Sequence, residues 1–363
     1  MSNPSLSLRA LNRATLARQL LLERSGLSVA DAVEALAGMQ AQVPKPPYIG
    51  LWSRLRAFER ADLTRALVER DVIRATAMRG TLHLLTKADY VTFRPLLQEM
   101  LTKGALSILK DKATFELEPI LADARAFFDK QPRTFDELRK HLVAMHPKLD
   151  ERAMGYMVRM HLPLVQVPDE ASTWGFPANA DFAVAETWMK KKLARSPKAE
   201  ALALRYLAAF GPATAADFQT WSGAAFAKET FEKLKPELQV FRDPRGKEVF
   251  DLPDAPHPDE DTPAPARFLP EFDNLLLAHA DRTRVVADEH RPHIGTANLR
   301  ILATFTVDGF VAGTWDTEKK KGVATLKLSP FGKLSKAVKK ELAEEGERLL
   351  RFVEPDAKSY AIG

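Results

Sequence analysis

Three stretches of this 363-residue chain place helical apolar spacing ahead of strand-like or strand-turn-strand residues, and a fourth, C-terminal stretch alternates short apolar runs with turns. These observations predict an α+β fold of three tandem winged-helix domains followed by a C-terminal β-barrel-like domain. The length suits several domains better than one small module, and 45% apolar with 28% charged residues describes a folded globular chain.

The first domain spans residues 1–105. Its Arg-, Ser- and Leu-rich start resembles a transit peptide in composition, but Leu11, Leu16, Leu20 and Leu21 make an apolar face and predict a folded helix. Ser28, with Asp31 three residues on, is a plausible N-cap for a second helix through Val29, Ala32, Val33, Leu36 and Ala37. That pattern ends at Gln40 and Gln42, and Pro44, Pro46 and Pro47 forbid its continuation. The two glutamines therefore sit on or beside a stiff turn, where a polar pair could orient a water; the ordinary alternative is that they satisfy the last helix carbonyls or face solvent. A further helix precedes a strand-like region at 73–85, in which Arg79 and His83 straddle Gly80-Thr81 on a turn or wing that would expose them. Arg79 is a phosphate candidate. His83 is either a pocket residue beside an extrahelical nucleotide or a histidine satisfied by local structure.

Residues 106–193 form the second domain. Thr134 caps a helix with an acidic first turn, residues 150–160 are helical, and residues 164–167 and 173–176 suggest two wing strands. Arg152 and Arg159 could present charge to DNA, whereas the methionines and Tyr156 of the same helix belong to the core. In the third domain, 198–255, Phe210-Gly211-Pro212-Ala213-Thr214 separates two helical patterns. Residues 215–222 and 230–238 supply further helices, and 239–241 and 248–250 flank the turn Asp243-Pro244-Arg245-Gly246 as a wing. Arg242, Arg245 and Lys247 are phosphate-contact candidates, with a solvated charged turn the simpler alternative.

The proline-rich stretch 253–270 reads as a linker or long loop rather than a core element. After it, in the domain 271–363, strands are expected at 281–286, 299–307, 310–317 and 322–328, with a terminal helix at 333–352. Lys319-Lys320-Lys321 reads as a hairpin tip, solvated or facing DNA.

A formal charge of +5 favours an anionic partner only weakly. The absence of cysteine removes disulfides, thiol catalysis, cysteine-ligated zinc and iron-sulfur clusters, and fits a reducing cytoplasm. No apolar run approaches the roughly 18 residues of a membrane span. The pairs His141/His146 and His290/His293 lack the accompanying carboxylates of a metal site. No cofactor motif is present, so neither metal nor cofactor is expected.

Several motifs resemble one family. Leu11-Asn12-Arg13-Ala14-Thr15-Leu16-Ala17-Arg18-Gln19-Leu20, Gln40-Ala41-Gln42 and Arg79-Gly80-Thr81-Leu82-His83 are similar to the AlkZ/YcaQ family of winged-helix DNA glycosylases. So are Tyr206-Leu207-Ala208-Ala209-Phe210-Gly211-Pro212-Ala213-Thr214 with Asp217 and Trp221, and Leu269-Pro270-Glu271-Phe272-Asp273-Asn274 through His279-Ala280-Asp281-Arg282, so the likeness spans nearly the whole chain. It implies a monofunctional glycosylase, in the Gln-x-Gln branch, that hydrolyses cationic alkylated purines such as N7-alkylguanine and N3-alkyladenine out of double-stranded DNA and unhooks interstrand crosslinks. Gln40 and Gln42 would be catalytic, Arg282 would join the DNA-binding residues, and the protein would be a cytoplasmic bacterial monomer, nucleoid-associated when bound to DNA. An amide does not titrate near neutrality, so neither glutamine is a true base; each can hold a water, which suffices only for a leaving group that is already cationic. A non-enzymatic winged-helix protein, either a transcriptional regulator or a lesion-shielding factor, is the alternative.

Overall fold

The computed structural model describes residues 4–296 and 300–363. In the first unit, α1 (Leu8–Arg18) and α2 (Val29–Ala35) start at Ser7 and Ser28, whose hydroxyls accept the N–H groups of Ala10 and Asp31. The short strand β1 (Met39–Gln40), α3 (Lys45–Arg54), α4 (Arg60–Val68) and the hairpin β2 (Val72–Thr76)/β3 (Leu82–Thr86) follow, then α5 (Lys87–Phe93) and α6 (Gln98–Leu109). The second unit contains α7 (Leu117–Lys130), α8 (Phe135–Met145), α9 (Glu151–His161), β4 (Leu164–Gln166), β5 (Phe182–Val184) and α10 (Ala185–Met189). The third contains α11 (Ala199–Phe210), α12 (Ala215–Ser222), α13 (Ala227–Leu234), β6 (Gln239–Arg242) and β7 (Glu248–Asp251).

One order recurs three times: a helix, an extended residue or two, two helices, then an antiparallel hairpin whose second strand pairs with that extended segment. The pairs are β1 with β3, Arg133 with Phe182, and Ala213 with Phe250. The second unit has a core of its own around Phe128, Leu142 and Val158, but the three units are also joined. β2 pairs with β4, which joins the first two hairpins in one five-stranded sheet ordered β1-β3-β2-β4-β5. One apolar cluster takes Ile73 and Leu101, Met160, and Tyr206, Phe210 and Trp221 from all three units.

Several local expectations are corrected. The helix before the glutamine pair stops at Ala35, and Ala37 (φ 54°) and Gly38 (φ 84°) reverse the chain into β1. A Cβ on Gly38 would lie 2.6 Å from Leu85 Cδ2 and 2.8 Å from the Leu84 carbonyl oxygen, so the reversal needs glycine. Pro46 and Pro47 open α3 at its first turn, where their missing N–H groups cost nothing. The second strand of the second unit is β5, not residues 173–176; there Gly175 turns at φ 71° and Trp174 packs edge-on against Tyr48 at 5.3 Å.

The C-terminal part comprises β8 (Arg267–Leu269), α14 (Arg291–Ile294), β9 (Thr304–Val307), β10 (Phe310–Lys320), β11 (Val323–Pro330), α15 (Lys336–Val353) and β12 (Ser359–Ile362). β8 lies inside the expected linker, where Ala266, Phe268 and Leu269 are buried. Residues 281–286 form no strand, and Leu299, where another strand was expected to start, lies outside the described residues. The expected barrel is instead an open sheet, ordered β12-β11-β10-β9-β8. Leu342, Leu349 and Leu350 of α15 pack on Phe268, Phe305, Trp315 and Leu326, so a helix covers this face instead of a second curve of strands. Among the described residues no helix is long and apolar enough to cross a membrane.

Two buried ion pairs tie distant segments together. Arg18 Nη2 meets Asp251 at 2.7 Å, and Arg54 grips both oxygens of Asp273 at 2.8 and 2.9 Å. Both partners of each pair are almost wholly excluded from solvent. Removing one member leaves a buried, uncompensated charge, so Arg54→Met is expected to lose about 3–5 kcal/mol of unfolding free energy, measured by urea denaturation. A loss below about 1 kcal/mol would show that Asp273 finds water or another partner.

Candidate active site

The site is built on the β1–β3 pair. Gln40 lies opposite His83, and the Ala41 N–H donates to the Leu82 carbonyl at 2.7 Å. Gln40 and His83 are thus a non-hydrogen-bonded cross-strand pair with both side chains on one face. The Gln40 N–H points the other way and donates to Asn274 Oδ1 at 3.4 Å. Arg79 occupies the hairpin tip at φ 53°, followed by Gly80 at φ 72°. Its Nη2 donates to Gln40 Oε1 at 2.8 Å, while its Nη1 donates to the carbonyl of Trp221 at the end of α12. The Gln40 side chain is thereby fixed from two units at once.

Gln42 is exposed, and its Oε1 accepts the Leu82 N–H at 3.2 Å. Its backbone is held from behind: Arg74 donates through Nε to the Ala41 carbonyl at 2.8 Å and through Nη2 to the Gln42 carbonyl at 3.1 Å. Beneath Gln40 a crevice of about 10 Å³, lined by Met39, Pro46, Pro270, Asp273 and Asn274, has room for about one water.

Burial sets the electrostatics. Arg79 is pushed down to about 10 by burial and then by nearby Arg282; Arg74 falls to about 10 by burial and then by Arg159. His83, 1% exposed, is pushed down to about 3 by burial, with Arg79 adding to the effect. Its Nδ1 lies 3.0 Å from the Thr81 carbonyl and so carries the proton, which leaves Nε2 a buried acceptor without a partner. Among the described residues no carboxylate hydrogen-bonds to either glutamine side chain; Asp273 is held by Arg54 and Glu271 by Arg300.

The model of the family "DNA glycosylase AlkZ-like" matches residues 33–352. The chain belongs to the AlkZ-like DNA glycosylase family. It is 28% identical over 361 residues to an interstrand DNA cross-link repair glycosylase of Streptomyces sahachiroi, a match covering 90% of this chain and 92% of that protein. The solved structure of Streptomyces sahachiroi DNA glycosylase AlkZ aligns with a TM-score of 0.80 at 21% identity, over 99% of this chain and 100% of that one, and so has the same fold. This glycosylase is accordingly a hydrolase of N-glycosyl bonds.

The glycosylase brings only some of its sequence-level candidates together. Gln40, Gln42, Arg79 and His83 converge, but Arg79 is turned inward and His83 is buried rather than displayed, because strand alternation points it to the core face shared with Leu85. Arg282 approaches from the C-terminal part, its Nε buried without a partner. Arg152 is exposed on α9, whereas Arg159 on the same helix lies over the rings of Phe135 and Phe182 at 5.3 and 5.7 Å. In the third hairpin Arg242 and Lys247 are exposed, and Arg245 is engaged by Asp281 at 2.9 Å. The histidine pairs serve packing: His141 stacks on Phe127, His146 meets Asp123 at 2.6 Å, and His290 and His293 lie against Phe331. Sequence reasoning gave no role to Arg74 or Asn274, whose contacts are made across the fold and leave no local signal.

His83 and His279, both pushed down to about 3 mainly by burial, bind a proton less readily folded than unfolded. Their stabilising effect is complete above the unfolded value of ~6.5 and is lost as pH falls from there towards the folded value. The unfolding free energy measured by urea denaturation should therefore drop below about pH 6.5, by at most ~1.4 kcal/mol per pH unit for each histidine. His83→Gln should flatten that slope; an unaltered slope would mean that His83 gains a proton without unfolding.

Proposed function

We propose that this glycosylase hydrolyses the N-glycosidic bond of cationic alkylated purines in double-stranded DNA, N7-alkylguanine and N3-alkyladenine, and unhooks interstrand crosslinks, with Gln40 and Gln42 positioning the attacking water. The observation that carries this reading is the bracing of both amides by fixed N–H donors. Each Oε1 already accepts one hydrogen bond, from Arg79 or Leu82, which orients the amide and leaves a second lone pair for water.

The chemistry fits the leaving group. A positively charged purine departs as a neutral base, so the bond needs placement of water more than a strong base. The crevice beneath Gln40 is far too small for a purine, which supports attack on a base that stays close to the duplex, as a crosslinked base must. The similarity to the interstrand DNA cross-link repair glycosylase of Streptomyces sahachiroi supports the same substrate class.

On this reading the three repeated units are winged helices, spanning about 1–105, 106–193 and 198–255, and the exposed Arg152, Arg242 and Lys247 contact phosphates. Arg79 and His83 act on Gln40 rather than on DNA, and Arg282 supplies positive charge beside them. The protein acts as a monomer and, in the bacterial cytoplasm, on the nucleoid.

Base release from duplexes carrying N7-methylguanine or an N7-linked guanine crosslink tests the reading. The intact protein should release base from both. Gln40→Ala and Gln42→Ala should each lower single-turnover release by about 10²-fold or more while duplex binding persists, the range lost with a positioned catalytic group. Release that survives the double substitution would remove the glutamines from the mechanism, and tight binding without release by the intact protein would return the lesion-shielding alternative.

A further inference from the structure

A cavity of about 560 Å³ opens beside the glutamine crevice and shares Pro46, Pro270 and Glu271 with it. One wall is the turn that continues from Gln42, with Val43 at 43% exposure and Lys45. The other is the C-terminal sheet. Thr314 pairs with Ser329 and Asp316 with Lys327 across β10 and β11, so these four side chains share the sheet face turned away from α15.

The cavity is lined by three cations, Lys45, Arg300 and Lys327, two carboxylates, Glu271 and Asp316, and three hydroxyls, and most of its cations are already matched. Arg300 is held by Glu271, and Lys327 by Glu318 at 2.7 Å. Lys45 differs. Among the described residues it makes no ion pair; Glu354, Asp316 and Glu271 act on it only from a distance, and its ammonium lies 5.7 Å from the Trp174 ring centroid. Burial lowers its affinity for its proton, as expected of a half-buried cation without a partner. Such a charge is unfavourable unless a ligand supplies the counterion.

We propose that Lys45 and the hydroxyls of Thr314 and Ser329 seat a backbone phosphate of the DNA strand being processed. A phosphodiester offers acceptors only, which matches an ammonium and two hydroxyls facing one space. Two residues, Val43 and Pro44, separate Lys45 from Gln42, so their Cα atoms are at most ~11 Å apart. The proposal rests on the assignment of the glutamine pair as the water-positioning site, and it gives the adjacent sheet face the task of holding the strand still.

The test is the salt dependence of duplex binding by the full chain, read by fluorescence anisotropy, for Lys45→Met, Lys45→Arg and a control, Lys198→Met, which removes an exposed cation elsewhere. Loss of one phosphate contact should make the log–log salt slope shallower by about 0.9 and weaken binding roughly 8-fold at ~0.1 M salt. Lys45→Arg should stay close to the parent, and Lys198→Met should not change the slope. The proposal is overturned if the Lys45→Met slope equals that of the parent, if Lys198→Met shifts it equally, or if Lys45→Arg is as impaired as Lys45→Met. Failure there, with release still dependent on Gln40 and Gln42, removes only the phosphate seat. A Lys45 slope change in a protein whose release ignores the glutamines removes only their assignment.

Discussion

The guanidinium of Arg54 is the contact on which the site's geometry depends. From the last turn of α3 it donates to the Gln19 carbonyl at 3.0 Å, to the Gly50 carbonyl of its own helix at 3.0 Å, and to both oxygens of Asp273. A charge this deeply buried is tolerable only when its donors are matched, so the pair fixes where the 269–274 segment meets the first unit. Asp273 also accepts the Leu275 N–H and closes a tight turn. The turn aims Asn274 at β1, where its amide donates to the Leu36 and Gly38 carbonyls and its Oδ1 accepts the Gln40 N–H. The C-terminal part of the chain thus positions a residue of the N-terminal part.

A second brace reaches Gln40 from the opposite side. Arg79 spans from Gln40 to Trp221 from a hairpin tip that adopts φ 53° and 72° in succession, and Gly223 turns the chain at the end of α12 beside it. A Cβ on Gly223 would lie 3.5 Å from the Arg79 backbone, and its φ of 77° is one that side chains disfavour. Gln40 is therefore held between the third unit, which reaches its Oε1 through Arg79, and the C-terminal segment, which holds its backbone N–H.

Local chemistry was legible in the sequence; pairing across the fold was not. Ser28 and Thr134 cap their helices as their side chains dictate, Thr134 with a reciprocal bond involving Glu137, and the Asp243–Gly246 turn closes a hairpin. Caps and turns are settled within four residues. Strand β1 has two residues and exists only because β3 lies beside it, so the helical spacing before Gln40 reads as continuing too far. β8 has three and is hidden among prolines for the same reason. A likeness to a family drew the glutamine pair, Trp221 and Asn274 out of the sequence, but the contacts that Arg74, Asn274 and Trp221 make around the pair were not legible there, because a guanidinium or amide bonded to distant carbonyls has no sequence pattern.

The electrostatics of the site bear on the proposed chemistry. Oxocarbenium character develops on the sugar as the base leaves, and positive charge beside it opposes reaction. Arg79 and Arg74 both spend their donors on neutral oxygens, Gln40, Trp221, Ala41 and Gln42, instead of meeting an acid. His83 stays neutral under the same burial, so it adds no further cation. Among the described residues no carboxylate is bonded to either amide, so on this reading the DNA phosphates share in the counter-charge for the developing cation. The protein's contribution on this reading is a fixed water and a strand held in register, and that division of labour suits substrates whose base is already charged when it binds.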